Sequence, residues 1–131
     1  MVNMENLIIE ATKYTPTISF DAGTNILEIH GETYPENTAE FYSPVFDWLE
    51  KYLNQLNDQQ VIVNMEIVYF NSSSSKVLMD LFDRLEEAVK EGKNITLNWI
   101  YDREDESALE YGEEFQEDLE ILKLNLIEKP S

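Results

Sequence analysis

The chain has 131 residues, of which 43% are hydrophobic and 11% aromatic, so it can form a packed core and is not a disordered tail. Its 27 acidic residues against nine Lys and Arg give a net charge of −18, which disfavours binding to nucleic acid or anionic membranes. The acidity could also serve solubility alone; partners are expected to present basic or apolar surface. Without cysteine, no disulfide, structural zinc or thiol nucleophile is expected.

The N-terminal segment carries acids where a signal peptide would carry basic residues. Its apolar run, Leu7-Ile8-Ile9, is far too short to export or to span a bilayer. We therefore expect a cytoplasmic protein, with residues 1–131 forming one domain whose core covers about residues 14–127.

Two short β-rich runs, Thr17–Phe20 and Ile26–His30, predict a hairpin that turns near Gly23. The next segment has apolar residues at a helical period from Phe41 to Leu56. Because Pro44 would break a continuous helix, we expect Ser43 to cap the main helix after a separate short turn. A single kinked helix is the alternative.

The second half of the chain alternates strands and helices. Gln60–Phe70 predicts a long central strand covered on both faces, and the next helix ends near Lys90 and Gly92. A strand, an acidic helix and a last strand follow. The fold class is therefore α/β, in the order β-β-α-β-α-β-α-β, with one small mixed, mostly parallel sheet and three main helices.

The segment "NSSSS" runs from the end of the central strand into the following helix, at the edge where open parallel sheets bind ligands. One capping hydroxyl would stabilise the helix start by about 1 kcal/mol, which does not explain four serines. An exposed hydroxyl at a helix N-terminus also suits phosphorylation, because free N–H groups and the helix dipole favour a phosphate there. A phospho-switch is thus a candidate function.

Other chemistry has weaker support. Ser73 and Lys76 match the S-x-x-K pattern of penicillin-binding enzymes, but the companion motifs of that pattern are absent. A Ser-His-Asp triad could use only His30, and no serine lies in a G-x-S-x-G motif. Residues 102–113 resemble a calcium loop, but Ser107 stands where glycine is needed. No nucleotide-binding motif occurs. We therefore expect no metal, no cofactor and no catalytic residue.

Three blocks of the sequence carry a family resemblance: "YPENTAEFYSPVFDWLEKYL", "YFNSSSSKVLMDLFDRLEEA" and "WIYDREDESALEYGEEFQED". Over about residues 14–126 the chain resembles the SiaC family of bacterial regulatory phosphoproteins. The resemblance implies a STAS-like fold, similar to that of anti-sigma factor antagonists. It also implies phosphorylation by a serine/threonine kinase related to histidine kinases, removal by a PP2C-like phosphatase, and binding of the unphosphorylated form to a diguanylate cyclase, with effects on cyclic di-GMP and biofilm.

The family pattern carries the phosphate acceptor over to Ser72, where threonine is commoner in the family. The neighbouring Ser73 and Ser74 leave the identity of the acceptor open. We expect a partner surface in two blocks, namely Asn71, Ser73, Ser74 and Lys76 around the turn and Tyr34, Pro35, Glu36 and Asn37 nearby. Two alternatives remain, a constitutive acidic adaptor and a small serine hydrolase.

Overall fold

In the computed structural model, which describes residues 4–130, the chain forms six strands and three helices over that range. They are β1 (Leu7–Ile9), β2 (Thr17–Asp21), β3 (Ile26–Thr33), α1 (Thr38–Gln55), β4 (Gln60–Phe70), α2 (Ser72–Lys90), β5 (Asn94–Tyr101), α3 (Glu106–Asp118) and β6 (Lys123–Glu128). None of the helices in this range is long and apolar enough to cross a membrane.

The six strands form one sheet in chain order. The β1–β2 and β2–β3 pairs are antiparallel, and the β3–β4, β4–β5 and β5–β6 pairs are parallel. The predicted mixed, mostly parallel sheet with three helices is confirmed. β2 is antiparallel to β3, as the predicted hairpin requires. β1 is an additional edge strand that the sequence did not predict; because it is antiparallel to β2, it runs in the same direction as β3 to β6. Three residues are too few to show a period, and β1 exists through its pairing with β2, in which Leu7 lies opposite Phe20.

All three helices lie on one face of the sheet, as right-handed crossovers between successive neighbouring strands require. Aromatic contacts join the layers: Trp48 of α1 packs on Phe20 at 5.3 Å between ring centroids, and Phe115 of α3 packs on Trp99 at 5.3 Å. Phe82 of α2 packs on Phe115 at 5.0 Å. These contacts lie within one hydrophobic core.

The opposite face of the sheet carries no helix within the described residues, so the expectation that the central strand is covered on both faces is wrong. Buried and half-buried residues alternate along β4, and the half-buried ones include Asn64. Asn98 donates to Asn64 at 2.9 Å, and Asn125 donates to Asn98 at 3.0 Å. This ladder of hydrogen bonds links asparagine side chains of three neighbouring strands, β4, β5 and β6, on the open face.

Helix α1 is continuous through Pro44, so the expected cap at Ser43 is wrong and the single-helix alternative holds. Asn37 caps it: its side chain accepts from the N–H of Glu40 at 3.0 Å and donates to that residue's carboxylate at 3.2 Å. Pro44 is exposed, while Tyr42 and Val45 are buried. Packing on both sides of the proline therefore outweighs the one hydrogen bond that it removes.

Gly112 lets α3 approach β5 closely, because a Cβ there would lie 2.5 Å from Trp99 Cδ1 and 2.7 Å from Leu126 Cδ2. We expect Gly112→Ala to lower the free energy of unfolding by about 1–3 kcal/mol through overpacking, although alanine is the better helix former. Urea denaturation measures the change. The matched control is Gly23→Ala, at an exposed turn where the added Cβ meets only the Asp21 carboxylate, at 3.2 Å. Equal stability of Gly112→Ala and the wild type would contradict this packing.

Candidate functional site

The carboxyl edge of the sheet brings together the loops that follow β3 and β4. Thr33 lies opposite Phe70 in the parallel ladder, and the N–H of Asn71 donates to the carbonyl of Thr33 at 3.3 Å. One step further along the chain, Tyr34 packs edge-to-face on Tyr69, with 5.4 Å between ring centroids. The two blocks named from the sequence, residues 34–37 and 71–76, therefore start side by side at this edge.

Asn71, and not a serine, caps α2. Its side-chain oxygen accepts from the N–H of Ser74 at 2.9 Å, and its carbonyl accepts from the N–H of Ser75 at 2.9 Å. Ser72 and Ser73 are therefore the first two helical residues, and both are exposed. Helix geometry leaves their N–H groups without an intrahelical acceptor, and no acceptor within residues 4–130 bonds to them.

Ser74 has a different environment from the other serines, because its side chain is fully buried. Its hydroxyl lies 3.0 Å from that of Thr33, which lies 2.7 Å from that of Tyr42. Burial raises the pKa of Tyr42 to about 12, although the hydrogen bond with Thr33 opposes the shift, so the Tyr42 phenol stays neutral near pH 7. The inclusion of Ser74 as an acceptor or partner contact does not fit this burial: its hydroxyl ties α2 to β3 and α1.

The other residues predicted for the site have separate roles. Lys76 is exposed, and its amine lies 3.5 Å from the Asp80 carboxylate. Pro35 is buried, Glu36 is exposed, and Asn37 is occupied as the cap of α1. Among these residues, exposed side chains are therefore available at Glu36 and Lys76.

Sequence reasoning named Tyr34 but missed the exposed Tyr14 and Tyr69, which form an aromatic row with the half-buried Tyr34. Tyr14 packs edge-to-face on Tyr34 at 5.3 Å, and Tyr69 is 54% exposed. The row depends on a β-bulge: Gly31 pairs with Ile67 and Glu32 with Tyr69, which leaves the intervening residue of β4 unpaired. Gly31 has φ +123°, a conformation that side chains disfavour. The break in alternation after Ile67 is the sequence signal that could have indicated it.

His30 and the acidic segment do not build the alternative sites. His30 lies on β3, and its Nε2 is 3.6 Å from Glu66 of β4, which also accepts from Lys129 at 2.8 Å. From Glu106 to Glu113 the proposed calcium loop is helical, because Asp105 caps α3 by accepting from the N–H of Ala108. No cluster of metal-binding side chains forms within residues 4–130.

The carboxyl edge of an open α/β sheet is where such domains usually bind, and in this two-layered domain that edge exposes hydroxyls and aromatic rings. The chain belongs to the SiaC family: the model described as SiaC family regulatory phosphoprotein matches residues 9–129. The resemblance predicted from the three sequence blocks is thereby confirmed.

Solved structures of SiaC from Pseudomonas aeruginosa have the same fold. One, described as an activator in complex with the diguanylate cyclase SiaD, is 36% identical with a TM-score of 0.88, covering 94% of this chain and 99% of that one. Another, of SiaC itself, is 35% identical with a TM-score of 0.87, covering 96% and 100%. An uncharacterized protein of Pseudomonas aeruginosa strain UCBPP-PA14 is 39% identical over 115 residues, covering 88% of this chain and 90% of that protein.

Proposed function

We propose that this chain is a non-enzymatic switch protein whose binding to a partner depends on phosphorylation of Ser72. The observation that carries the proposal is that Ser72 is an exposed hydroxyl in the first turn of α2, beside two main-chain N–H groups without an acceptor among the described residues. A phosphate there gains charge-assisted hydrogen bonds and the positive end of the helix dipole.

The charges around Ser72 also suit an added dianion. The first turn of α2 contains no acid, whereas the first turns of α1 and α3 carry Glu40 and Glu106. Lys76 follows Ser72 by four residues and therefore lies on the same helix face. A phosphate on Ser72 is within reach of this ammonium group, which the unmodified chain pairs with Asp80. Phosphorylation is thus expected to leave the helix start stable.

The switch acts on the surface that a partner contacts. Ser72 is three residues beyond Tyr69, so their Cα atoms lie within about 11 Å of each other. A partner that covers the exposed aromatic row must strip water from a phosphate on Ser72, which weakens binding by several kcal/mol unless new pairs replace the water. The unphosphorylated form is therefore the binding form, and the acidic chain favours partners with basic or apolar surfaces.

By family membership, the proposed partners are a serine/threonine kinase, a PP2C-like phosphatase and a diguanylate cyclase. Support for the cyclase is the solved complex in which SiaC is the activator of SiaD. The resulting role is partner switching that links phosphorylation to cyclic di-GMP and biofilm formation. Neither nucleic acid nor a membrane is required.

Phosphorylation is tested by incubating the chain with its cognate kinase and ATP and measuring intact mass. We expect a gain of one phosphoryl group, mapped to Ser72 and absent from Ser72→Ala. Ser73→Ala is the matched control, because Ser73 is the neighbouring exposed hydroxyl and should leave the gain unchanged. A phosphate on Ser73 alone, or no mass gain, would contradict the assignment. Hydrolysis of an activated ester that disappears in Ser72→Ala would favour the hydrolase alternative.

A further inference from the structure

A cleft opens at the carboxyl edge where β4 and β5 separate. Their pairing ends at Met65 opposite Trp99, while β4 continues beside β3 to Phe70. The last two residues of β5 pair with β6 instead. We call this opening the edge cleft; its β4 wall is Ile67–Phe70, and its α3 wall is Asp105, Ser107, Ala108 and Tyr111.

The edge cleft has a volume of about 210 Å³, which suits one large side chain, and its β4 wall consists of apolar and aromatic residues. Val68 is 56% exposed on the β4 wall, and Tyr111 is 44% exposed on the α3 wall. The ring of Tyr111 packs on Phe70 at 4.7 Å, and the ring N–H of Trp99 donates to the Ala108 carbonyl at 2.8 Å. Both walls are therefore held by the core, so the cleft is formed before any partner binds.

The segment that carries the α3 wall is strongly acidic. Between positions 102 and 114 there are seven carboxylates and a single basic residue; the carboxylates are Asp102, Glu104, Asp105, Glu106, Glu110, Glu113 and Glu114. Asp102, Glu104 and Glu106 are exposed and lie within three residues of Asp105 of the α3 wall along the chain; we call these three the rim carboxylates. A segment with acids next to its apolar anchor is repelled here, and a segment with Lys or Arg is attracted.

We infer that the edge cleft binds an apolar side chain of the partner protein, flanked by a basic residue that pairs with the rim carboxylates. The inference rests on the proposed function, since the segment belongs to the partner that Ser72 controls. The β4 wall ends at Phe70, two residues before Ser72 at the start of α2. A phosphate on Ser72 therefore lies on the side of the cleft that is lined by apolar and aromatic residues. The carboxylates that select the basic residue stand on the opposite wall.

The test uses the unmodified chain and peptide probes followed by amide NMR. Acetyl-Lys-Gly-Trp-Gly-Lys-amide is expected to shift the amides of residues 67–70 and 105–111. The probe with glutamates in place of the lysines, and the probe with glycine in place of the tryptophan, should bind more weakly by about fivefold or more. Shifts centred elsewhere, no shifts at all, or equal binding of all three probes would overturn the inference.

Variants distinguish binding in the edge cleft from nonspecific binding to exposed apolar residues. Val68→Thr keeps the β-branched shape and should weaken the tryptophan probe by about fivefold, as should Tyr111→Ala. Ile8→Thr is the matched control, because Ile8 is a 61% exposed apolar residue on the edge strand β1, three strands away from β4. Equal weakening by Ile8→Thr would overturn the inference. Because the probes do not involve Ser72, failure here leaves the phospho-switch standing, and failure of the switch leaves a positive result here standing.

Discussion

Ser72→Asp is expected to weaken binding to the proposed diguanylate cyclase partner by about tenfold or more, whereas Ser72→Ala binds as the wild type does. The physical reason is the fixed negative charge at an exposed position next to the aromatic row, which must lose its water in the complex. A loss of tenfold corresponds to about 1.4 kcal/mol, a modest part of the penalty for covering an unpaired charge. Isothermal titration calorimetry with the purified cyclase measures the difference.

The matched control adds the same charge elsewhere. Asn57 is exposed in the loop before β4, at the opposite edge of the sheet, and Asn57→Asp changes the net charge as Ser72→Asp does. It should leave the affinity within about twofold, because distant surface charges are screened within about 8 Å at physiological salt. If Ser72→Ala and Ser72→Asp bind equally, the serines only shape the turn and the chain is a constitutive acidic adaptor. If Asn57→Asp lowers the affinity as much as Ser72→Asp does, the loss reflects the net charge of the chain and not the position of Ser72.

Glu86→Ala is expected to lower the free energy of unfolding by about 2–4 kcal/mol, because it removes three charge-assisted hydrogen bonds and leaves the N–H of buried Leu122 without its acceptor. Glu86 lies on α2 and is 8% exposed, and its carboxylate accepts from three successive N–H groups just before β6. The donors are Glu120 at 2.9 Å, Ile121 at 2.7 Å and Leu122 at 2.9 Å. One side chain therefore fixes the α3 to β6 connection against α2. Glu87→Ala, at the exposed neighbouring position, is the control and should change stability by less than about 0.5 kcal/mol.

The same carboxylate makes stability depend on pH. Burial alone would raise the pKa of Glu86, but the N–H groups of Ile121, Leu122 and Glu120 bind the ionised form and lower the pKa below its usual value. Because the pKa is lower in the folded state, the ionised carboxylate stabilises the protein at pH values above the unfolded pKa of about 4.3. This stabilisation is lost as the pH falls through the folded pKa. The stability gap between wild type and Glu86→Gln should therefore be full at pH 7 and shrink below about pH 4. Chemical denaturation across that range measures the gap, and a gap that grows in acid would contradict the assignment.

Much of the fold follows from local patterns. The run of apolar residues predicted β4 with its observed bounds, Gln60–Phe70, and the charge and glycine at Lys90 and Gly92 predicted the end of α2. Gly92 has φ +101°, the conformation that glycine adopts after a helix. These predictions succeed because hydrogen bonds and side-chain period within one segment decide them. Pro44 shows the limit of local reasoning, since its helix persists through the burial of Tyr42 and Val45.

The edge strand and the aromatic row needed the folded chain. Only pairing with β2 makes Leu7–Ile9 a strand, and only the bulge beside Gly31 turns Tyr69 towards solvent. The pairing of β1 leaves no period in the sequence, because it joins residues 7–9 to residues 18–20. The bulge leaves only the break in alternation after Ile67, and the pairing of β4 with β3 decides which side chains turn outward.

Composition, charge and the three sequence blocks determined an acidic α/β regulator with a hydroxyl-rich turn at the carboxyl edge of its sheet. The family pattern points to Ser72, but nothing in the sequence shows which of the four adjacent serines is exposed, and only the tertiary structure separates them by burial. A helix turns by about 100° per residue, so the side chain of Ser74 points to Thr33 in the core while that of Ser72 points to solvent. Which face of a helix is buried is decided by the layer against which it packs, and no property of the serines themselves records that direction.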